Sequence, residues 1–314
     1  MKDLYRYVWQ VSGRDQVILS VLSVALFLLE LAPLELQRRI VNAAVGHHAF
    51  GVIGRLGLLY VMVALVQGGL KLILNVYRGS VSEAANQRLR LEPNLIGIAR
   101  ASQARGSEEE GVAISIIVSE VEAVGGFIGS SVSEPLLNGG ILLSVFGYML
   151  FMQPWMAVVV LLLFCPQVLF IPFLQEAINR RTRVRIETLR ALSVDMIRET
   201  TDPVAGRREQ TYRHRISEVY RLNMEIFRRK FGMNFLMNLL YHLGVIGILS
   251  VGGWLLLHGK TEVGTVVAFI SGLSRMNDPW GALVDYFRDL TNVGIAAVTA
   301  VPIPVLANSR LRSG

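Results

Sequence analysis

Cysteine occurs once in these 314 residues, at Cys165, so no disulfide can form within the chain and no set of thiolates is available to hold a metal. Charge is scarce as well. Asp, Glu, Lys and Arg make up 18% of the chain against 52% for hydrophobic residues, and mean hydropathy is +0.46. That balance excludes both an ordinary soluble domain and a disordered chain. Histidine is limited to five residues; His47 and His48 are adjacent, so their side chains diverge and do not readily share a metal. No Ser/His/Asp or paired-carboxylate constellation can be argued from spacing, and residues 1–16 are too polar and aromatic for a cleavable signal peptide. We therefore assign no catalytic, cofactor-binding or metal-ligating residue. The charge that is present is mostly positive, +7 net. Its arginines lie between apolar runs, where the positive-inside rule gathers them, and no nucleic-acid partner is expected.

What remains is a chain of apolar runs. Pro135 to Gln175 contains no charged residue; at about 1.5 Å per residue it is too long for one crossing of a bilayer core of about 30 Å and suits two helices. Gln153-Pro154 supplies the turn between them. Around this hairpin the sequence predicts an all-α membrane protein of six transmembrane helices with two long helical cytoplasmic arms. Residues 1–16 read as an interfacial N-terminal helix and 17–290 as the six-span domain, while 291–314 read as an irregular tail. The first span runs from about Val17 to Asn42, interrupted by Glu30 and bent near Pro33. The second runs from about Val52 to Val76 and includes Lys71. The third starts outside the membrane, where Ile117, Val121, Val124 and Ile128 repeat at helical spacing. The fifth and sixth are expected at about Asn234 to Leu257 and Val263 to Leu290, the last interrupted by Arg275, Asp278 and Pro279.

Polar excursions over Arg78 to Gly125 and Glu176 to Lys230 alternate with short loops. The excursions hold most of the arginines, which places that side, with both termini, in the cytoplasm of a multi-pass cell-membrane protein. Arg38, Arg39 and Arg55 fall on the other side and run against this assignment.

Glu30, Lys71, Glu134, Arg275 and Asp278 are ionisable groups in or near spans. Such groups cost several kcal/mol facing lipid, so they are expected to face the bundle interior, a cavity or one another. Two readings stand side by side, a translocation pathway and structural pairing such as Glu30 with Lys71. Two stretches mimic nucleotide motifs without their context. Gly253 to Thr261 has one residue too many for a phosphate loop and ends an apolar span instead of following a strand. Asn138-Gly139-Gly140 resembles a cassette signature but lies inside a membrane helix, where small residues permit close packing.

The arrangement resembles the transmembrane domain of ABC exporters of the type I fold, over about residues 15 to 290. The sequence Gly111 to Val124 (GVAISIIVSEVEAV) is similar to the family segment in which a Gly-Glu turn precedes a helix carrying Asp-Val. Here the turn reads Glu110-Gly111, and Glu120 replaces the aspartate. Gln153-Pro154-Trp155, Pro166, Glu199, Val263 to Phe269 and Pro279 also resemble family positions. The resemblance implies coupling helices at about Gln103 to Gly111 and Thr201 to Thr211 that dock on nucleotide-binding domains. Glu108, Glu109, Glu110, Gly111, Asp202 and Gly206 are then the contact residues. It further implies a second transmembrane subunit, identical or different, and ATP and Mg held by a partner ATPase domain, with no cofactor on this chain. No Walker A or cassette signature is present, so the expected role is the membrane half of an ATP-driven translocase served by a separate ATPase chain. The other reading is a truncated or regulatory membrane scaffold. A secondary transporter or channel would call for an internal repeat, and none is convincing.

Overall fold

The computed structural model describes residues 2–47, 49–91, 121–122, 124–201 and 207–299. Every regular element among them is helical. The order is α1 (Lys2–Leu29), α2 (Leu31–Val45), α3 (Phe50–Arg90), α4 (Ser133–Met152), α5 (Pro154–Thr201), α6 (Arg207–Leu257) and α7 (Val263–Thr299). A short helical stretch at 124–130 precedes α4.

Prolines account for several of the boundaries. Pro33 is the third residue of α2; it cannot donate to the carbonyl of Leu29, and its ring crowds that carbonyl, so the helix breaks at Glu30. Pro135 acts likewise near the start of α4, and the chain turns at Ser131-Val132 where the sequence pattern suggests one helix continuing from Ile117 into the third span. Pro154 opens α5 at the position where a missing N–H costs nothing, after Gln153 takes an extended conformation with φ −156° and ψ 94°. The expected hairpin turn is therefore present. α1 is kinked at Ser12, whose φ and ψ are −139° and 30°, close to the end of the expected N-terminal helix. At the far end, α7 continues to Thr299, through residues 291–299 that composition assigns to an irregular tail.

Five stretches are long and apolar enough to cross a membrane: Val8–Val45, Phe50–Arg90, Ser133–Met152, Pro154–Leu189 and Tyr212–Leu257. Several helices exceed the bilayer. With 41, 48 and 51 residues, α3, α5 and α6 extend about 60, 70 and 75 Å, twice a hydrocarbon core or more. Their charged portions, Arg78 to Arg90, Glu176 to Thr201 and Arg207 to Lys230, thus have room outside it.

The described residues form two compact units, one of 2–91, 121–165 and 240–299 and one of 166–201 and 207–239. In the first, the core joins Leu34, Val145, Met149, Met156, Val160, Ile248, Leu255, Phe269 and Leu273, drawn from α2, α4, α5, α6 and α7. A second cluster joins Leu19 and Leu26 of α1 to Leu74 and Val81 of α3. α3 is otherwise clad in exposed apolar side chains, among them Leu58, Leu65, Leu72 and Val76, a surface suited to lipid. α7 is the reverse. It is missing from the five apolar stretches, yet it buries Val266, Ala268, Phe269, Leu273, Met276 and Tyr286. An interior helix in a membrane bundle can carry polar groups that a lipid-facing helix cannot.

Glycines set several close approaches. A Cβ on Gly140 would fall 2.2 Å from the Phe27 ring, one on Gly129 2.7 Å from the Arg78 carbonyl and one on Gly264 2.3 Å from the Arg38 carbonyl, whereas Gly139 faces open space. Gly140 therefore serves the close packing expected of it.

In the second unit α5 and α6 lie antiparallel. Arg181 meets Glu225 at 3.2 Å and Arg185 donates to Asn223 at 3.3 Å, which fixes the register. Ile171, Ile178, Leu222 and Ile226 are buried.

Candidate functional site

At the junction of α1 and α2 lies Glu30, whose own backbone stays helical (φ −61°, ψ −22°) and donates to the Leu26 carbonyl at 3.1 Å, inside an apolar stretch. Two groups from distant parts of the chain converge on its carboxylate. Arg275 of α7 donates to one oxygen and Gln67 of α3 to the other, and the Glu30 side chain is only 14% exposed. Three helical segments thus meet at one neutralised carboxylate. The pairing expected from sequence, Glu30 with Lys71, is not formed. Lys71 is exposed, one helical turn beyond Gln67 on α3.

Glu134 is met by a second cation. Arg78 of α3 reaches it at 3.0 Å and also donates through Nε to Ser133 Oγ at 3.1 Å, with Gly129 allowing α3 to approach this closely. Asp278 is exposed. Of the five candidate pathway residues, then, Glu30 and Arg275 come together, Glu134 pairs elsewhere in the first unit, and Lys71 and Asp278 join neither pair. The six candidate coupling residues, Glu108, Glu109, Glu110, Gly111, Asp202 and Gly206, lie outside the described residues.

A third polar centre was not singled out from the sequence. Glu35, one helical turn beyond the break, accepts from Arg38 Nε and Nη2 at 2.9 Å each, from Arg39 at 2.6 Å and from Tyr148 of α4 at 2.7 Å. Arg38 also reaches Glu262 at 3.3 Å. Asn42 donates to Glu262 and accepts from the Gly264 N–H at 2.8 Å. The loop residue Gln153 donates to the Lys260 carbonyl at 3.4 Å. These contacts tie together α2, α4, the turn before α5 and the start of α7 at the end of the unit that carries the short loops. The signal in the sequence was the i, i+3 and i+4 spacing of Glu35 with Arg38 and Arg39. Arg38 and Arg39, the arginines that run against the expected topology, thus share the Glu35 carboxylate.

The opposite end of the same unit is held by aromatic and backbone contacts. Tyr5 and Tyr286 share a hydrogen bond of 2.6 Å, and Tyr286 donates to the Ser131 carbonyl at 2.8 Å. Phe127 stacks on Tyr286. Gln16 donates to the Ile128 carbonyl at 2.8 Å and Arg88 to the Val11 carbonyl at 2.9 Å.

The false phosphate loop is a helix end: Trp254 packs on His258 with ring centroids 4.5 Å apart, and Lys260 Nζ lies 5.8 Å from the Trp254 ring. An exposed Trp254, with exposed Trp155 beside the other short turn, suits a membrane–water boundary.

The helices and their apolar lengths define a class, the multi-pass helical membrane protein. Comparison with protein-family models and with curated proteins returns no match for this chain.

Proposed function

We propose that this chain is the membrane-spanning subunit of an ATP-driven ABC transporter, moving a substrate by alternating access, with ATP and Mg bound on nucleotide-binding domains of another chain. The observation that carries this reading is the path of the chain in the first unit. From Tyr5 at the aromatic end, α1 and α2 lead to the Glu35–Glu262 end. α3 returns, bringing Arg88 back to Val11. α4 goes forward to Gln153, next to Lys260, and α7 goes back to Tyr286. With α5 leaving from the short-loop end and α6 ending there, this path supports six crossings, the sixth being the buried and least apolar α7.

The two charged helical portions of α5 and α6 then serve as one arm, and the residues between α3 and α4 as the other. Both arms and both termini belong on the cytoplasmic side. Stiff helices transmit displacement, and a packed bundle with a polar latch at one end and an aromatic clasp at the other offers two arrangements to bias. Glu108, Glu109, Glu110, Gly111, Asp202 and Gly206 are the proposed contacts with the ATPase domains. Glu30 and Arg275 are the proposed polar part of the pathway, with Lys71, Glu134 and Asp278 as further members.

The test is purification from detergent together with the host's ATPase chains, followed by ATP turnover of the isolated assembly. A stoichiometric complex that hydrolyses ATP, and that falls apart when Glu108, Glu109 and Glu110 are changed to Lys, is the expected result. A bundle recovered without any ATPase would favour the scaffold reading.

A further inference from the structure

We propose that the second unit carries a basic collar that binds the headgroups of anionic phospholipids. The uncharged run of α5 ends at Gln175, and the apolar part of α6 begins at Phe231. The pairs Arg181–Glu225 and Arg185–Asn223 set the antiparallel register, which brings Arg228 and Lys230 level with residues 176 to 180 of α5. Arg180, Arg183, Arg228 and Lys230 therefore gather within about two helical turns of one another, next to the point where both helices become apolar. All four are exposed, and among the described residues none of them takes part in an ion pair.

Two further arginines add to the local charge from within the contact between the helices, where Glu225 Oε2 is likewise buried without a hydrogen bond. Arg229 lies on the face of α6 that meets α5 with its Nη1 buried and without an acceptor, and Arg185 Nε is in the same state. Only Arg181 of this group has its charge met, by Glu225. Counting 176–187 and 225–230 together, seven cations (Arg180, Arg181, Arg183, Arg185, Arg228, Arg229, Lys230) face three carboxylates (Glu176, Glu187, Glu225).

An excess of cation directly beside the end of a membrane span meets the phosphate layer of the bilayer, and each such side chain attracts anionic lipid. The spread of exposed cations over both helices, rather than in one pocket, fits a ring of several headgroups better than a single soluble anion. Exposed Phe227 and Phe231, with ring centroids 6.0 Å apart, give the same level an apolar anchor. This inference rests on the membrane reading of the helices and is independent of the ATPase partner.

The full chain is reconstituted into vesicles of phosphatidylcholine with a minor share of phosphatidylglycerol, and spin-labelled versions of each lipid report how much of each is motionally restricted at the protein. The expected result is preferential restriction of phosphatidylglycerol that weakens as salt is raised. Joint replacement Arg180→Gln, Arg183→Gln, Arg228→Gln and Lys230→Gln is expected to reduce the preference about fivefold or more. The corresponding change with Lys at the three arginines, leaving Lys230, retains it. Arg221→Gln, further along α6, also leaves it intact. Equal restriction of both lipids by the unaltered chain would overturn the proposal, as would a preference that survives the fourfold replacement in a protein that still folds. Loss of the preference on adding soluble glycerol phosphate would assign the collar to a free phosphate instead, and would overturn it too.

Discussion

At the scale of single residues the Glu30 centre is the sharpest feature. Its carboxylate sits inside an apolar stretch, beside the one helical hydrogen bond that Pro33 cannot make, and takes one partner from α3 and one from α7. Removing one member of a buried pair leaves the other uncompensated, at a cost of about 3–5 kcal/mol, whereas replacing both with neutral groups of similar size is often harmless. Arg275→Met should therefore lower the thermal stability of the detergent-solubilised chain markedly, and Glu30→Gln should do the same through Arg275. The double variant should recover most of the loss. Lys71→Met, at an exposed position, should change stability little. A large Lys71 effect with none at Arg275 would show that Lys71, and not Arg275, is the charge that Glu30 requires. Sequence reading found both ionisable partners but paired the wrong two. Spacing places Lys71 on the correct helix, one turn from Gln67; it does not show which face of the distant α7 turns towards the break.

At the scale of elements the proline and glycine positions were the most legible. Gln153-Pro154 ends one helix and starts the next, Pro33 accounts for the junction at Glu30, and α3 runs on through Arg90, past the start of the polar excursion at Arg78. The third span was less so, because a helical stripe through Val121, Val124 and Ile128 is equally consistent with a short helix and with the start of a long one. Those residues are buried, so the stripe was correct. Pro135 decided its end. The sixth span read as interrupted, since charge at Arg275 and Asp278 and a proline at 279 are costly on a lipid-exposed helix. In α7 Arg275 is met by Glu30 and Pro279 is buried within the unit, whereas Asp278 is exposed. Gly139 and Gly140 turn this packing into a test. A side chain at Gly140 collides with Phe27, while one at Gly139 meets nothing within 4 Å. Gly140→Val should destabilise by about 1–3 kcal/mol through overpacking. Gly139→Ala should be neutral or stabilise by up to about 1 kcal/mol from helix propensity, both read from thermal denaturation in detergent. Equal effects at the two positions would mean that α1 does not approach α4 at Gly140.

For the whole molecule the central question is which side of the membrane each end of the bundle faces. Charge counting puts the long polar excursions inside, against Arg38 and Arg39 at the other end, which pair with Glu35 and, for Arg38, Glu262. The positive-inside rule counts lysine and arginine and gives little weight to neighbouring carboxylates. Pairing with a carboxylate does not remove Arg38 and Arg39 from that count, and Arg39, Arg55 and Lys260 are all exposed at the short-loop end, so the assignment rests on the larger number of arginines in the excursions. The proposed orientation follows, with the end bearing His258, Gln153 and His47 outside and the arms in the cytoplasm. In a Cys165→Ser background, a cysteine replacing His258 should react with an impermeant maleimide on intact cells. One replacing Ser107 or Ser217 should react only after the membrane is opened. Labelling of Ser107 or Ser217 from outside would invert the molecule. Its basic collar would then face the outer leaflet, and arms on that side would have no access to cytoplasmic ATPase domains. The transporter reading would fall with the topology, whereas the pairing of Glu30 with Arg275 and the closure around Glu35 would stand, since neither depends on which way the bundle is inserted.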